Sequence, residues 1–272
     1  VVLDEAGRHA VSLLSGHLGG GNDLARQVAG ILGGTPMLTT ASDVQGLPAL
    51  DLLGRQWGWS FESGPALTAA AAALINGEPV GVFQEAGTDA WGPTSGPAHL
   101  IRYPSLEALV QASPKAALVI SHRILPPMIM DRLPPAVIYR PRCLVVGIGC
   151  NRNTVAREIE SAIDDTLAEA GLDPGSIDCL ASIEDKADEP GLLAAGEHRG
   201  WPLRFYSREQ ILAAGAPPNP SAWAERALGV PGVAEPAAML AARSASLLVS
   251  KVRRGNVTVA VALSACTERG CP

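Results

Sequence analysis

The last third of this 272-residue chain carries the pattern that most constrains its fold. A run of aliphatic residues at Cys143–Val146 leads into Gly147-Ile148-Gly149-Cys150, which reads as a turn. Behind it Val155, Ile159, Ile163, Leu167 and Ala170 recur at helical spacing up to Gly171. The spacing predicts a helix capped by Asn153 or Thr154 and ended by a left-handed glycine. Ile177–Ile183 and Trp201–Tyr206 read as further strands, Ser207 with Gln210 as a capping box, and Ser221 as the cap of another helix. Leu247–Val252 and Val257–Leu263 flank Arg253-Arg254-Gly255-Asn256, the signal of a hairpin. Strands alternating with helices predict an α/β fold.

The front of the chain shows the same alternation in shorter form. Val1–Leu3 and His9–Leu14 read as a hairpin, followed by the glycine-rich loop Ser15-Gly16-His17-Leu18-Gly19-Gly20-Gly21. A helix is predicted from Asn22, with Leu24, Val28, Ile31 and Leu32 on one face and Gly33-Gly34 as its stop. Pro36–Thr40 is a candidate strand, after which the texture changes near Asp43. The middle carries an alanine-rich helix at Pro65–Asn76 and strands at Pro79–Phe83 and Ala116–Ser121. Prolines 126, 127, 134, 135 and 141 then suggest a linker. Three α/β regions follow: 1–43, 44–140 and 141–272. Because the chain opens at Val1, without methionine and on residues that read as a strand, the first domain is expected to be truncated.

Composition excludes several function classes. Hydrophobic residues make up 47% of the chain and charged ones 18%, a globular balance. The run Pro65–Ile75 falls well short of the ~20 residues that cross a bilayer, and no secretory leader is visible. Twenty-one Lys and Arg against 27 Asp and Glu leave a formal charge of −6, unfavourable for nucleic acid. An anionic ligand would need a local cluster of positive groups. The five cysteines form no C-x-x-C pair and no disulfide framework, which fits a reducing cytoplasm.

Two glycine-rich junctions could present backbone N–H groups to an anion. The first lacks the Gly-Lys-Ser/Thr of a P-loop, and the second has Arg152 where a dinucleotide site needs glycine, so neither ATP nor NAD is expected. His17 is placed to act as a general base, since an imidazole titrates near pH 6.5; the alternative is a loop histidine bonded to its own turn. No metal-ligand spacing links it to His9, His99, His122 or His198. Cys150, between strand and helix, is either a nucleophile activated by a helix dipole or a small packing residue. Arg152 beside that helix start suits a carboxylate. In the charged run Glu184–Glu189, Lys186 is a candidate carboxylate partner and Glu189 a candidate acid or base, against a plain solvated turn.

Taken together, these residues point further. Val2-Leu3-Asp4-Glu5-x-Gly7-Arg8, Ser12-Leu13-Leu14-Ser15-Gly16-His17-x-Gly19-Gly20-x-Asn22 and Thr39-Thr40-Ala41-x-Asp43 resemble the N-terminal domain of the CbiG family of cobalamin biosynthesis. Gly147-Ile148-Gly149-Cys150-x-Arg152-x-Thr154, Lys186-Ala187-Asp188-Glu189-x-Gly191-Leu192, Pro218-Asn219-Pro220-Ser221, Val230-Pro231-Gly232-Val233-Ala234-Glu235 and Val249-x-Lys251 resemble its CobE-like C-terminal domain. The middle matches by position alone. The resemblance implies a cobalt-precorrin-5A hydrolase, which opens the δ-lactone of a ring-contracted cobalt corrinoid and expels acetaldehyde. Cobalt would arrive within the substrate macrocycle, with no metal held by protein side chains and neighbouring enzymes of the pathway as partners.

On the same basis His17 is assigned as general base and Glu189 as second proton-transfer group. Ser15, Gly16, Gly19, Gly20, Asn22, Gly149, Cys150, Arg152, Thr154, Lys186 and Lys251 are assigned to substrate binding. The family pattern continues upstream of Val1 with a further glycine-containing motif, and Gly21 stands where the family usually has alanine. Two other readings stay open: a non-catalytic binder of a corrinoid intermediate, and a phosphate-ester enzyme using both glycine junctions.

Overall fold

The computed structural model describes residues 1–13, 19–38, 45–61, 64–91, 97–215 and 217–264, with 222 and 223 as backbone only. The chain divides into two compact units, Val1–Gln84 with Asp89–Ile120 and Pro126–Tyr139, and Glu85–Thr88 with Ser121–Leu125 and Arg140–Pro272.

The first unit opens with β1 (Val2–Leu3) antiparallel to β2 (His9–Ser12), then α1 (Gly21–Leu32) and β3 (Thr35–Leu38), which lies parallel to β2. The helix packs by small residues: Asn22, Ala25 and Ala29 are buried, and Ala10 completes a small core. This corrects the predicted face. Leu24, Ile31 and Leu32 do share one side, but that side is exposed, Ile31 by 82%. The alanine side allows the closer approach to the sheet. Gly33 ends the helix in the left-handed conformation, as expected.

The rest of this unit comprises β4 (Ser60–Phe61), α2 (Pro65–Ile75), β5 (Val80–Gln84), β6 (Leu100–Arg102), α3 (Leu106–Ala112), β7 (Ala116–Ile120), α4 (Pro127–Met130) and β8 (Ala136–Arg140). The sheet order is β4-β8-β7-β5-β6, parallel from β8 to β6. The proline-rich stretch read as a linker is part of this core. Val137 and Tyr139 are buried, and the Tyr139 hydroxyl donates to the Leu50 carbonyl at 2.7 Å. Pro134, Pro135 and Pro141 flank β8 and do not interrupt it, so no ladder N–H is lost.

The second unit contains β9 (Leu144–Cys150), α5 (Ala156–Glu169), β10 (Ile177–Ile183), α6 (Pro190–Arg199), β11 (Leu203–Tyr206), α7 (Arg208–Ala213), α8 (Ala222–Leu228), α9 (Ala234–Ala242), β12 (Leu247–Arg254) and β13 (Val257–Leu263). The order is β11-β10-β9-β13-β12, parallel from β9 to β11 and antiparallel at β13 and β12. Alternate residues of β9 divide between two cores. Leu144, Val146, Ile148 and Cys150 pack with Ile159, Ile163 and Leu167 of α5, whereas Val145 packs with the alanines of α9.

Gly147 through Cys150 is therefore strand, which corrects the predicted turn. A Cβ on Gly147 would lie 1.8 Å from the Ala234 carbonyl oxygen, so the missing side chain serves close packing of α9 on the sheet. The turn follows at 151–155. Val155 stands at the N-cap without a side-chain bond, and Thr154 Oγ1 donates to the Asn151 carbonyl at 2.8 Å, so neither Asn153 nor Thr154 is the cap. Val155 is exposed, as is Ala170 at the other end of the expected stripe. The capping box of Ser207 and Gln210 and the cap at Ser221 form as predicted. No helix among the described residues is long and apolar enough to cross a membrane.

Candidate functional site

In an open α/β sheet, ligands collect beyond the carboxyl ends of the strands where the strand order reverses. β9 is that point here, with β10 and β11 on one side and β13 and β12 on the other. A cavity of about 310 Å³ lies there. Gly149, Cys150 and Asn151 supply its floor, Ile183 ends β10 with Lys186 just beyond it, and Ser221 caps α8, which supplies Ala224 and Leu228. Gly232 and Val233 lead into α9, while Lys251, Arg253, Gly255, Asn256 and Thr258 come from the β12–β13 hairpin. A Cβ on Gly149 would meet Thr258 Oγ1 at 2.5 Å, so a side chain there would displace that hydroxyl.

Sequence-assigned residues fall into four groups. Gly149, Cys150, Lys186 and Lys251 meet at the cavity. Arg152, Thr154 and Glu189 stand beside it without lining it. Ser15, Gly16 and His17 lie outside the described residues. Gly19, Gly20 and Asn22 belong to the first unit, where Gly20 adopts a left-handed conformation before α1 and Asn22 is buried.

Glu189 is fully buried. Its Oε1 accepts the Asn153 N–H at 2.5 Å, and its Oε2 lies 3.5 Å from the Arg152 guanidinium and 3.7 Å from Lys186 Nζ. The carboxylate thus fixes the loop after β9, whose Asn153 adopts φ of 61°. The close approach of α6 to that loop requires Gly191, whose Cβ would sit 1.8 Å from the Thr154 carbonyl oxygen. Arg152 is largely exposed and donates to Asp188 at 2.5 Å and to the Asp185 carbonyl at 2.8 Å. That hydrogen bond holds the Asp188 carboxyl below its ordinary range, as Arg208 does for Asp185. Burial pushes the Cys150 thiol up, against the activated nucleophile considered from sequence.

A second buried carboxylate, Glu235, carried no assigned role in the sequence reading. It accepts the backbone N–H of Asn219 at 3.0 Å, its side-chain amide at 2.8 Å and the Lys251 N–H at 2.9 Å. Lys251 Nζ in turn donates to the carbonyls of Asn219 and Pro220. This clasp anchors the segment leading into α8, so Lys251 shapes the cavity wall with its charge already engaged by carbonyls. The only sequence signal was that Asn219 and Glu235 lay within family-like motifs. Asn256, also missed, donates its side-chain amide to Glu158 at 3.1 Å and accepts from Asn151 at 2.8 Å.

Family models match in chain order: the cobalamin synthesis G N-terminal region over residues 1–43, the cobalamin biosynthesis central region over 48–141, and the cobalamin synthesis G C-terminus over 144–262. A cobalt-precorrin-5A hydrolase of Priestia megaterium is 42% identical over 265 residues, covering 97% of this chain and 71% of that protein. The chain belongs to the CbiG family. Another CbiG relative, the cobalt-precorrin-5A hydrolase of Salmonella typhimurium (strain LT2), is 30% identical over 272 residues, 97% of this chain and 74% of that protein. Protein CobE of a Sinorhizobium species is 40% identical over 121 residues, 44% of this chain and 79% of its own length. In this CbiG chain the cavity and both buried carboxylates fall inside the segment matched as the family's C-terminus.

Proposed function

We propose that this chain is a cobalt-precorrin-5A hydrolase that opens the δ-lactone of its substrate and releases acetaldehyde. The observation carrying this reading is the 42% identity to a hydrolase of that name over 97% of the chain. Water adds to the lactone carbonyl, and the ring ester bond breaks to give a carboxylate and an alcohol. The alcohol then loses its proton, the adjoining carbon–carbon bond breaks, and the electron pair passes to the macrocycle, which is reprotonated as acetaldehyde leaves. Cobalt stays in the substrate, and the protein contributes no metal ligand.

The cavity supports the reading physically. Its volume is at the small end of ligand sites, suited to one edge and one acidic arm of a macrocycle. Glycines 149, 232 and 255 form part of its wall, and Lys186 supplies positive charge. Arg152 and Thr154 flank the same edge. His17 is proposed as general base, Glu189 as the buried counter-ion of Lys186, and Ser15, Gly16, Gly19, Gly20 and Asn22 as substrate-binding residues. Action in a reducing cytoplasm beside other pathway enzymes accords with Cys143, Cys150 and Cys179, which are buried thiols.

The test is acetaldehyde release from cobalt-precorrin-5A in an anaerobic reconstituted pathway, coupled to an aldehyde-reducing enzyme. Stoichiometric release is expected. A shifted absorption spectrum of the bound tetrapyrrole without release would instead identify a carrier.

A further inference from the structure

The cations around the cavity are not equivalent. Arg152 is committed to Asp188 and the Asp185 carbonyl, Lys251 to the carbonyls of Asn219 and Pro220, and Arg253 Nε donates to the Gly255 carbonyl. Lys186 differs. Its side chain is 5% exposed, it lines the cavity, and among the described residues its Nζ makes no hydrogen bond. Its counter-ion, the Glu189 carboxylate, lies 3.7 Å away, close enough to balance the charge and too far to take a hydrogen bond. Glu189 lies outside the cavity lining, enclosed among Lys186, Arg152 and the Asn153 N–H.

Resting on the hydrolase reading above, we propose that Lys186 is a catalytic residue whose ammonium donates a hydrogen bond to the oxygen of the lactone carbonyl, with Glu189 as its positioning residue. As the oxygen of water bonds to the carbonyl carbon, the π pair moves onto the carbonyl oxygen, and the proton of water passes to the general base. Lys186 keeps its proton and holds the oxyanion by an N–H···O bond. When the carbonyl reforms, the ring C–O bond breaks and its pair leaves on the alcohol oxygen, which takes up a proton. A buried, fixed cation at the cavity wall stabilises charge that appears only in the transition state, so it acts on kcat more than on binding. Glu189, with no access to the cavity, works through Lys186 and the loop at Asn153. This assigns it no proton transfer.

The test uses the whole chain with cobalt-precorrin-5A, comparing the unaltered protein with Lys186→Ala, Lys186→Arg and Glu189→Gln. Lys186→Ala is expected to lower kcat on the order of 10²–10³-fold with little change in KM. Added ethylammonium should restore part of the rate, and Lys186→Arg should retain more than Lys186→Ala. Glu189→Gln is expected to lower kcat less than Lys186→Ala, and ethylammonium should leave its rate unchanged. Thermal melts identify any variant that fails to fold, and Lys186→Arg, which keeps the charge, then carries the comparison. An active unaltered protein whose Lys186→Ala variant keeps kcat and raises only KM would overturn the role, leaving Lys186 as a carboxylate anchor. If the unaltered protein binds the substrate and releases no acetaldehyde while a homologue does, the hydrolase reading itself falls, and this role with it.

Discussion

The N-terminal βαβ segment and the C-terminal sheet use the same local grammar and reach different degrees of closure. In the first, one helix rests on three short strands, and the core is Ala10, Ala25 and Ala29 with Val28 and Leu38 at its edge. In the second, five strands are covered on one face by α5 and α6 and on the other by α9 and α7. The larger sheet can enclose charge. Glu189, Glu235 and Lys186 are all buried there, each with a partner. A fully covered scaffold can hold such groups rigidly at the edge of a cavity, and the cavity of the second unit is lined by Lys186 and bordered by both carboxylate networks.

Breaking that enclosure should have the largest effect. Glu189→Ala leaves Lys186 without its counter-ion and the Asn153 N–H without its acceptor, and is expected to cost about 3–5 kcal/mol in urea unfolding. A loss below about 1 kcal/mol would mean that the pair is solvated. Next comes Gly147→Ala, which forces α9 away from β9. The expected cost is about 1–3 kcal/mol, with weakened ligand binding at the cavity, and an unchanged melting curve would refute the close packing.

A pH dependence should follow from His122, also in the second unit. Burial, with Arg123 and Arg140 nearby, holds its imidazole below the ordinary histidine range despite the opposing Glu85 carboxylate. The unfolded chain therefore binds a proton at a pH where the folded chain does not. Stability should fall as pH drops from the ordinary histidine range towards the lowered folded value. His122→Asn should flatten that slope in unfolding measured from pH 7 to 5, and an unaltered slope would remove His122 as its source. The smallest effect belongs to the N-terminal segment. Ile31→Gln, on the exposed side of α1, should change stability by no more than about 0.5 kcal/mol, and a cost above 2 kcal/mol would mean that this face is covered in solution.

What the sequence made legible was local. The capping box at Ser207, the cap at Ser221, the stop at Gly33 and the β12–β13 hairpin are each decided within a few residues, and each appears. What it hid depends on distant partners. Gly147 reads as a turn until the Ala234 carbonyl is placed against it. β8 reads as linker until Tyr139 is seen bonded to Leu50, and α1 reads as packing by its leucine face until the sheet selects the alanines. The site divides in the same way. Gly149, Cys150, Lys186 and Lys251 were singled out from motifs and converge, whereas the engagement of Lys251 by carbonyls and the part of Glu235 depend on contacts 16 and more residues apart. Nothing within a single motif reports whether a lysine is free.

The most direct test of the account asks whether this cavity is where the substrate is handled. Ala224 lines it from α8 and has no part in either carboxylate network, so Ala224→Phe fills the space with those hydrogen bonds intact. With a melting temperature close to that of the unaltered protein, the variant should lose acetaldehyde release and tetrapyrrole binding together. Full turnover in a folded Ala224→Phe protein would contradict the assignment of the site.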